Sequence, residues 1–287
     1  MKYAFIAEHA TQFPVERQCV TLGVSVSGYY AWRKRTVSSH QEEDQRLLQH
    51  IQQIYQHSRR LYGSPRIHAA LKRQGVRCSR KRVARLMQQA GIHSLRQGRR
   101  HIRTTDSNHR LPVAPNRLNR QFQADQPNRK WVADFTYVRT DEGWLYLAAV
   151  LDLFSRRLVG WAMSARADED LVESALQMAF ARRQLNGDLL HHSDRGSQYA
   201  ASHYAHLLAQ QGIIVSMSRK GECYDNAVIE SFFRTVKAEC VYLTHYPTRQ
   251  QARQSLFEFL EVYYNRQRLH STLGYLSPAE FEDLHSS

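Results

Sequence analysis

Three carboxylates in the second half of this 287-residue sequence, Asp134, Asp194 and Glu230, have the type and spacing to share one task. Asp134 interrupts the apolar run WVADFTYV, where an unpaired charge is expensive to bury. Asp194 ends the run LLHHSD, and Glu230 lies in DNAVIESFFRTVKAE on one helical stripe with Asn226, Arg234 and Lys237. Each alone has an ordinary reading. Asp134 could face solvent on an edge strand, Asp194 could be a turn or helix N-cap, and Glu230 could be a surface glutamate with an i,i+4 arginine. Together they fit metal-assisted phosphoryl transfer. Clustered carboxylates raise one another's pKa unless cations hold them, and hard oxygen ligands suit Mg²⁺ or Mn²⁺. Two such ions, roughly 3.5–4 Å apart, clamp the attacking and leaving oxygens of an in-line displacement. Asp134 and Asp194 are sixty positions apart, and thirty-five residues lie between Asp194 and Glu230.

The elements that must position these residues follow from pattern. WVADFTYV, GWLYLAAVLDLF and RRLVGWAMSA read as three strands with short links, an antiparallel meander. ADEDLVESALQMAFARRQ is an amphipathic helix with an acidic first turn, matched to its dipole. LLHHSD is a fourth strand, SQYASHYAHLLAQQG a helix and IIVSMS a fifth strand. The segment DNAVIESFFRTVKAECVYL forms a helix burying Ile229, Phe232, Phe233, Val236 and Cys240, and Thr248 with Gln251 opens a further helix through Tyr264. The order β-β-β-α-β-α-β-α is that of a ribonuclease-H-like α/β core with a five-stranded mixed sheet. In it the first and fourth strands are neighbours, so Asp134 and Asp194 can meet, with Glu230 brought across from the helix after strand five.

The first half is helical. Val15 to Leu22 and a helix capped by Ser25 or Ser27 flank a turn at Gly23. Ser39 with Glu42 makes a capping box ahead of a helix with Leu47, Leu48, Ile51, Ile54 and Tyr55 on one face. SPRIHAALKRQG, with Pro65 in its first turn and Gly75 closing it, precedes SRKRVARLMQQAG, capped by Ser79 and ended by Gly91. Val83, Leu86 and Met87 form the inward stripe of the last helix, while Arg80, Lys81, Arg82 and Arg85 point elsewhere. Helix, short turn, basic helix is the helix-turn-helix outline, whose second helix lies in a DNA major groove; a helical hairpin with a solvated basic face has the same pattern.

Charge follows the same division. The chain is +14 overall: residues 1–95 are net +11, 96–130 net +7 and 131–287 net −4. A basic first half joined to a mildly acidic second half suggests a nucleic-acid-gripping module tethered to a domain with another task. The organisation expected is a helix-turn-helix-like DNA-binding region (1–95), a basic linker (96–126), the catalytic core (127–245) and a C-terminal helical extension (246–287). No apolar run approaches the roughly 20 residues of a membrane span, the N-terminus does not read as a signal peptide, and the four scattered cysteines form no C-x-x-C pair. A soluble cytosolic protein fits. No G-x-x-x-x-G-K-[ST] loop is present.

The segments DFTYV, HSDRGSQYAS, SRKGECYDNAVIESFFRTVKAE and YNRQRLHSTLGYLSPAEF resemble a DDE transposase of the insertion-sequence-three family, related to retroviral integrases, over essentially the whole chain. The resemblance implies that Asp134, Asp194 and Glu230 are the catalytic triad and hold the metal, Mg²⁺ or Mn²⁺, as two ions. It implies cleavage of an element end to free a 3′-OH, then joining of that 3′-OH to a second phosphodiester, by way of an excised circular intermediate. Lys237, seven residues after Glu230, would contact element-end DNA; Arg234 joins it on helical spacing alone. The partners implied are double-stranded DNA, both terminal inverted repeats and target, and further copies of the chain in the active complex. The family's protein is usually a frameshift fusion, and this sequence, without a/d heptads, resembles the second frame's product, so a first-reading-frame protein is a further partner. The setting implied is the bacterial cytoplasm, at the nucleoid when DNA-bound.

Weaker signals complete the reading. Asp152 is a fold-supporting residue near a strand end, and Asp225 the N-cap of the Glu230 helix. His191, His192, His203 and His206 suit packing or strand-end polarity better than zinc. Tyr264, Asn265, Arg268, His270 and Ser271 could grip DNA or brace the core. Two other functions remain open on sequence: a non-catalytic DNA-binding regulator, and a structure-selective nuclease that cuts without joining.

Overall fold

The computed structural model describes residues 1–34, 38–95, 112–185 and 187–285. Residues 96–111, the greater part of the expected basic linker, lie outside the described residues. The chain divides into two compact units, 1–53 and 54–287.

In the first unit, α1 (Lys2–Glu8), α2 (Val15–Thr21) and α3 (Val26–Arg33) close around Ile6, Cys19 and Tyr29, with Tyr3, Val15 and Trp32 packed against them. Ser25 caps α3 by accepting from Gly28 N at 3.0 Å. A Cβ at Gly28 would stand 2.3 Å from the Tyr3 hydroxyl and 2.6 Å from Ser25 Oγ, so a side chain there would have to displace both. The next helix, α4 (Ser39–His57), starts one residue earlier than its expected box. Ser38 N donates to Gln41 Oε1 at 3.0 Å and Gln41 N to Ser38 Oγ at 3.3 Å, so the reciprocal pair is Ser38–Gln41, not Ser39–Glu42. The run SSHQE offers both registers, and the earlier one is used.

The second unit opens with α5 (Ser64–Arg73) and α6 (Arg80–Gln89). Pro65 sits in the first turn of α5, and Ser79 Oγ accepts from Arg82 N at 3.1 Å to cap α6. Ile67 and Leu71 of α5 and Val83, Leu86 and Met87 of α6 are buried, as their spacing requires.

The sheet follows: β1 (Lys130–Thr140), β2 (Gly143–Asp152) and β3 (Leu158–Ser164) as an antiparallel meander, then α7 (Glu169–Arg182), β4 (Leu190–Ser193), α8 (Ser202–Gln210) and β5 (Ile214–Met217). Spatial order is β3-β2-β1-β4-β5, with β4 parallel to β1 and β5 parallel to β4. This is the expected five-stranded mixed sheet of a ribonuclease-H-like core. Trp131, Ala133, Ala148 and Val150 pack with Leu171, Ala175 and Leu176 of α7 and Tyr204 and Leu208 of α8. Gly160 of β3 lets α7 come close: a Cβ there would lie 2.1 Å from the Ala175 carbonyl oxygen. Asp152, at the end of β2, accepts from Asn128 N at 2.7 Å and Phe154 N at 2.9 Å. Burial outweighs those two donors and pushes its carboxyl up to about 6. It holds the loops on either side of the β1–β2 pair, a fold-supporting role.

After β5 come α9 (Ala227–Glu239), packed on β1, then α10 (Arg249–Phe257) and α11 (Pro278–His285). Thr248 Oγ1 accepts from Gln251 N at 3.2 Å to cap α10, which continues as a π-helical stretch, Glu258–Tyr264. None of the described helices is long and apolar enough to cross a membrane.

Candidate active site

Asp134 lies on the central strand, so the edge-strand explanation of its placement among apolar residues does not hold. Opposite it on β2 is Ala149; on the other side, Ala133 pairs with Ser193 at the last step of the parallel β1–β4 ladder. Asp194 is the next residue after Ser193 and leaves the ladder beside Asp134. Both carboxylates are half-buried. Asp134 Oδ1 accepts from Phe135 N at 2.8 Å, and Asp194 Oδ1 from Gly196 N at 2.9 Å. A Cβ at Gly196 would stand 3.0 Å from Asp194 Oδ1, so a side chain there would crowd this turn.

Helix α9 crosses with Glu230 in its first turn, also half-buried. The three acids sense one another. Burial, then the negative charges of Asp194 and Glu230, drive the Asp134 carboxyl well above the usual carboxylate range, against the opposing Phe135 N–H and Lys237 ammonium. Lys237 lies 4.5 Å from the centroid of the Tyr137 ring, a cation–π contact. Burial lowers its pKa and the Asp134 charge opposes that. Arg234, one turn after Glu230, is exposed.

The donor chemistry at this point is hard oxygen. Besides the carboxylates, Asn226 donates through Nδ2 to the Ala133 carbonyl at 3.3 Å and leaves Oδ1 buried without a hydrogen-bond partner. That set suits a divalent cation of the Mg²⁺ or Mn²⁺ type. As the side chains stand, no three His, Cys, Asp or Glu residues among the described residues form a group that could hold a metal ion. The structure thus brings Asp134, Asp194, Glu230 and Lys237 into one electrostatic neighbourhood, and sets Arg80, Lys81, Arg82 and Arg85 apart on α6.

Two residues belong here that the sequence reading passed over. Tyr199 is fully buried beside the acids, and its phenol is pushed well up by burial and by the Asp134 and Asp194 charges. It lies in the same HSDRGSQYAS segment as Asp194, five residues on, in a stretch whose sequence reads as helix but which precedes the start of α8 at Ser202. Tyr137, three residues after Asp134, carries Lys237 on its ring and stacks edge-on against Trp144 at 4.9 Å.

Asp225 is corrected. It is not the N-cap of α9; Asn226 occupies that position, without a side-chain cap. Asp225 is buried and gripped by Arg219 (N 3.0 Å, Nε 3.0 Å, Nη2 2.9 Å), Arg120 (Nε 2.9 Å) and Asn116 (Nδ2 2.8 Å). Charge-assisted bonds outcompete helix capping for a buried carboxylate, and they hold it well below the usual range. The histidines are structural contacts. His192 lies 2.8 Å from Ser216 Oγ and 3.1 Å from Ser218 Oγ, His191 lies 3.0 Å from the Tyr204 hydroxyl, His203 meets Glu173, and His206 meets Gln210.

The C-terminal segment braces the core. Asn265 Oδ1 accepts from Leu158 N at 2.9 Å and its Nδ2 donates to Leu158 O at 3.0 Å, completing the ladder of the outer strand β3. Tyr264 donates to the Arg156 carbonyl, and Arg268 grips Glu239, the last residue of α9, with bonds of 2.7 and 2.8 Å.

Family models for an integrase core and an HTH-like domain agree with this architecture. Residues 124–223 and 211–278 match two family models, each described as an integrase core domain, and residues 42–100 match an HTH-like domain. Transposase InsF for insertion sequence IS3A, from Escherichia coli strain K12, is 41% identical over 285 residues, 99% of each chain. The insertion element IS600 uncharacterized 31 kDa protein of Shigella sonnei is 44% identical over 265 residues, 92% of this chain and 97% of that one. Among solved structures, a chain of the simian T-cell lymphotropic virus intasome, in complex with a PP2A regulatory subunit, aligns at a TM-score of 0.47 with 17% identity, covering 76% of this chain and 70% of that one. With full-length identity of that order to InsF, the chain belongs to the insertion-sequence-three family of transposases, polynucleotidyl transferases with an integrase catalytic core.

Proposed function

We propose that Asp134, Asp194 and Glu230 are the catalytic residues and that together they bind two divalent cations, Mg²⁺ or Mn²⁺, with which the chain cuts DNA at the ends of its insertion sequence and transfers the freed 3′-OH into a second duplex. The observation that carries this reading is the β1–β4 register, which sets Asp134 beside Asp194 under the helix bearing Glu230. Bound cations would supply stabilisation of the charge that develops on the transferring phosphate. The protein's own groups do the rest. The Phe135 and Gly196 amides fix one oxygen of each aspartate, and Lys237, steadied on Tyr137, presents a cation for an element-end phosphate beside Asp134. Arg234 extends that surface along α9. The helices of residues 1–95, with Arg80, Lys81, Arg82 and Arg85 on α6, grip double-stranded DNA at the terminal inverted repeats, and residues 127–245 carry the chemistry. The active complex is a homo-oligomer on DNA in the bacterial cytoplasm, working with a first-reading-frame protein.

The test is cleavage and joining of labelled duplex and supercoiled DNA in Mg²⁺, Mn²⁺ or EDTA. Glu230→Gln, which removes a charge and keeps the shape, should lower both activities by about a thousandfold, the effect of losing several kcal/mol of transition-state stabilisation. Activity surviving in Glu230→Gln removes the triad assignment. Cut but never joined products favour a nuclease, and DNA binding indifferent to Asp134→Asn with no cutting favours a regulator.

A further inference from the structure

Residues 54–95 contain ten Lys and Arg and no Asp or Glu. Six of these ten cations fall into two sets by placement. Arg59, Arg66 and Arg73, spaced seven residues apart, each reach a carboxylate far along the chain. Arg59 meets Glu258 of the π-helical stretch, Arg66 meets Glu239 of α9 at 3.2 Å, and Arg73 meets Glu280 of α11. Aromatic contacts reinforce the pairs. The Arg59 guanidinium lies 5.2 Å from the Tyr263 ring centroid, and that of Arg66 lies 5.4 Å from Tyr62. Tyr62 adds two backbone bonds, donating to Gln267 O at 3.1 Å and accepting from Leu269 N at 2.9 Å. The second set, Arg80, Lys81 and Arg85, is exposed on α6.

The pivotal joint is Glu239. It is buried, accepts from both Arg268 and Arg66, and ends the helix that begins beside Glu230 and carries Lys237. A 13-residue helix is a stiff rod of about 20 Å. The α5–α6 pair is therefore bolted to the catalytic helix, where a flexible tether would leave its distance to the acids variable.

We propose that this docking holds the basic face of α6 at a fixed place relative to Asp134, Asp194 and Glu230, so that a duplex gripped by α6 is cut at one set distance from the grip. Arg59, Arg66 and Arg73 are then positioning residues and not DNA contacts. The occupant of the α6 face is a DNA backbone, by charge complementarity: Arg80 and Lys81 stand exposed in the first turn of α6, and the stretch from residue 54 to 95 that carries them contains no Asp or Glu. The inference rests on the proposed function for its DNA substrate.

The experiment uses the full chain and a duplex bearing the terminal inverted repeat of the element that encodes it. Wild type is compared with Arg59→Glu/Arg73→Glu, with Arg73→Glu alone, and with a charge swap that restores the latter pair, Arg73→Glu with Glu280→Arg. The side chains of Arg73 and Glu280 are 43% and 38% exposed, so these changes spare the core. Cut positions are mapped at single-nucleotide resolution in Mn²⁺, beside a hydroxyl-radical footprint. Wild type should cut at one phosphodiester. The double variant should keep the footprint, lose at least tenfold at that bond and cut scattered neighbouring bonds, and the swap should return cutting to the single site. Unchanged position in the double variant, or loss of the footprint, overturns the proposal. If wild type cuts in neither Mg²⁺ nor Mn²⁺ with the first-reading-frame protein present, the reading of the acidic site fails, and hydrogen exchange decides the docking separately. Amides of α5 exchanging tenfold faster in the double variant support it; equal exchange overturns it.

Discussion

Ala133 and Ser193 are partners in the last step of the parallel β1–β4 ladder, and the residue after each is an aspartate. One step of strand register therefore decides that Asp134 and Asp194 share an environment. Because burial, and then the neighbouring negative charges, raise the Asp134 pKa, the folded state keeps a proton there that the unfolded chain has lost. Stability then falls as pH rises from the ordinary aspartate range through the raised folded value. In EDTA at neutral pH, Asp134→Asn should melt higher than wild type, by about 2–4 °C for each 1 kcal/mol relieved. Added Mn²⁺ should raise the melting temperature of wild type and not of the variant. Equal response to Mn²⁺ would count against Asp134 as a ligand.

The histidines predict the opposite slope. Burial lowers His192 to about 4, His191 to about 3 and His270 to about 2. The unfolded chain binds protons that these folded histidines refuse, so stability is complete above about pH 6.5 and is lost as pH falls toward 4. His192, wedged between Ser216 and Ser218, accounts for about 3 kcal/mol of that loss over the full window. Thermal melts from pH 4.5 to 7.5 should show a shallower acid-side decline in His192→Gln than in wild type. Parallel curves would refute the assignment.

Asp225→Asn should destabilise the chain by about 2–3 kcal/mol, since it weakens charge-assisted bonds to Arg120 and Arg219 around a buried group. Its depressed pKa contributes stability above the ordinary aspartate range that is lost as pH falls through the folded value. Urea denaturation at pH 7 measures the loss, and amide exchange in residues 219–227 should rise with it. A variant as stable as wild type would show the grip to be idle.

Gly160→Ala tests the seating of α7. The new methyl would meet the Ala175 carbonyl at 2.1 Å and Ala179 Cβ at 2.8 Å, contacts that only movement of the helix can relieve. A loss of about 1–3 kcal/mol in chemical denaturation is expected for such overpacking. An unchanged midpoint would mean that α7 is free to shift.

Short-range chemistry made much of the protein legible. Alternation and turn lengths set the meander of β1 to β3, and helical spacing placed Val83, Leu86 and Met87 inward and Glu230 on a stripe with Lys237. The meeting of Asp134 and Asp194 could be anticipated because the element order β-β-β-α-β-α-β-α is that of a ribonuclease-H-like core, in which the first and fourth strands are neighbours. What spacing could not supply was the partner of each polar group. Asp225 read as a cap because its neighbours in sequence allow one, yet Arg120, 105 residues earlier, claims it. The basic first half read as a surface for nucleic acid, yet Arg59, Arg66 and Arg73 spend their charge on Glu258, Glu239 and Glu280, between 173 and 207 residues away. Likewise Asn265 and Arg268 proved to brace β3 and α9. Local sequence determines which groups are charged or apolar and how each segment coils. Only tertiary structure decides which distant charge is close enough to neutralise a buried one, because that energy depends on separation and burial in space, not on distance along the chain.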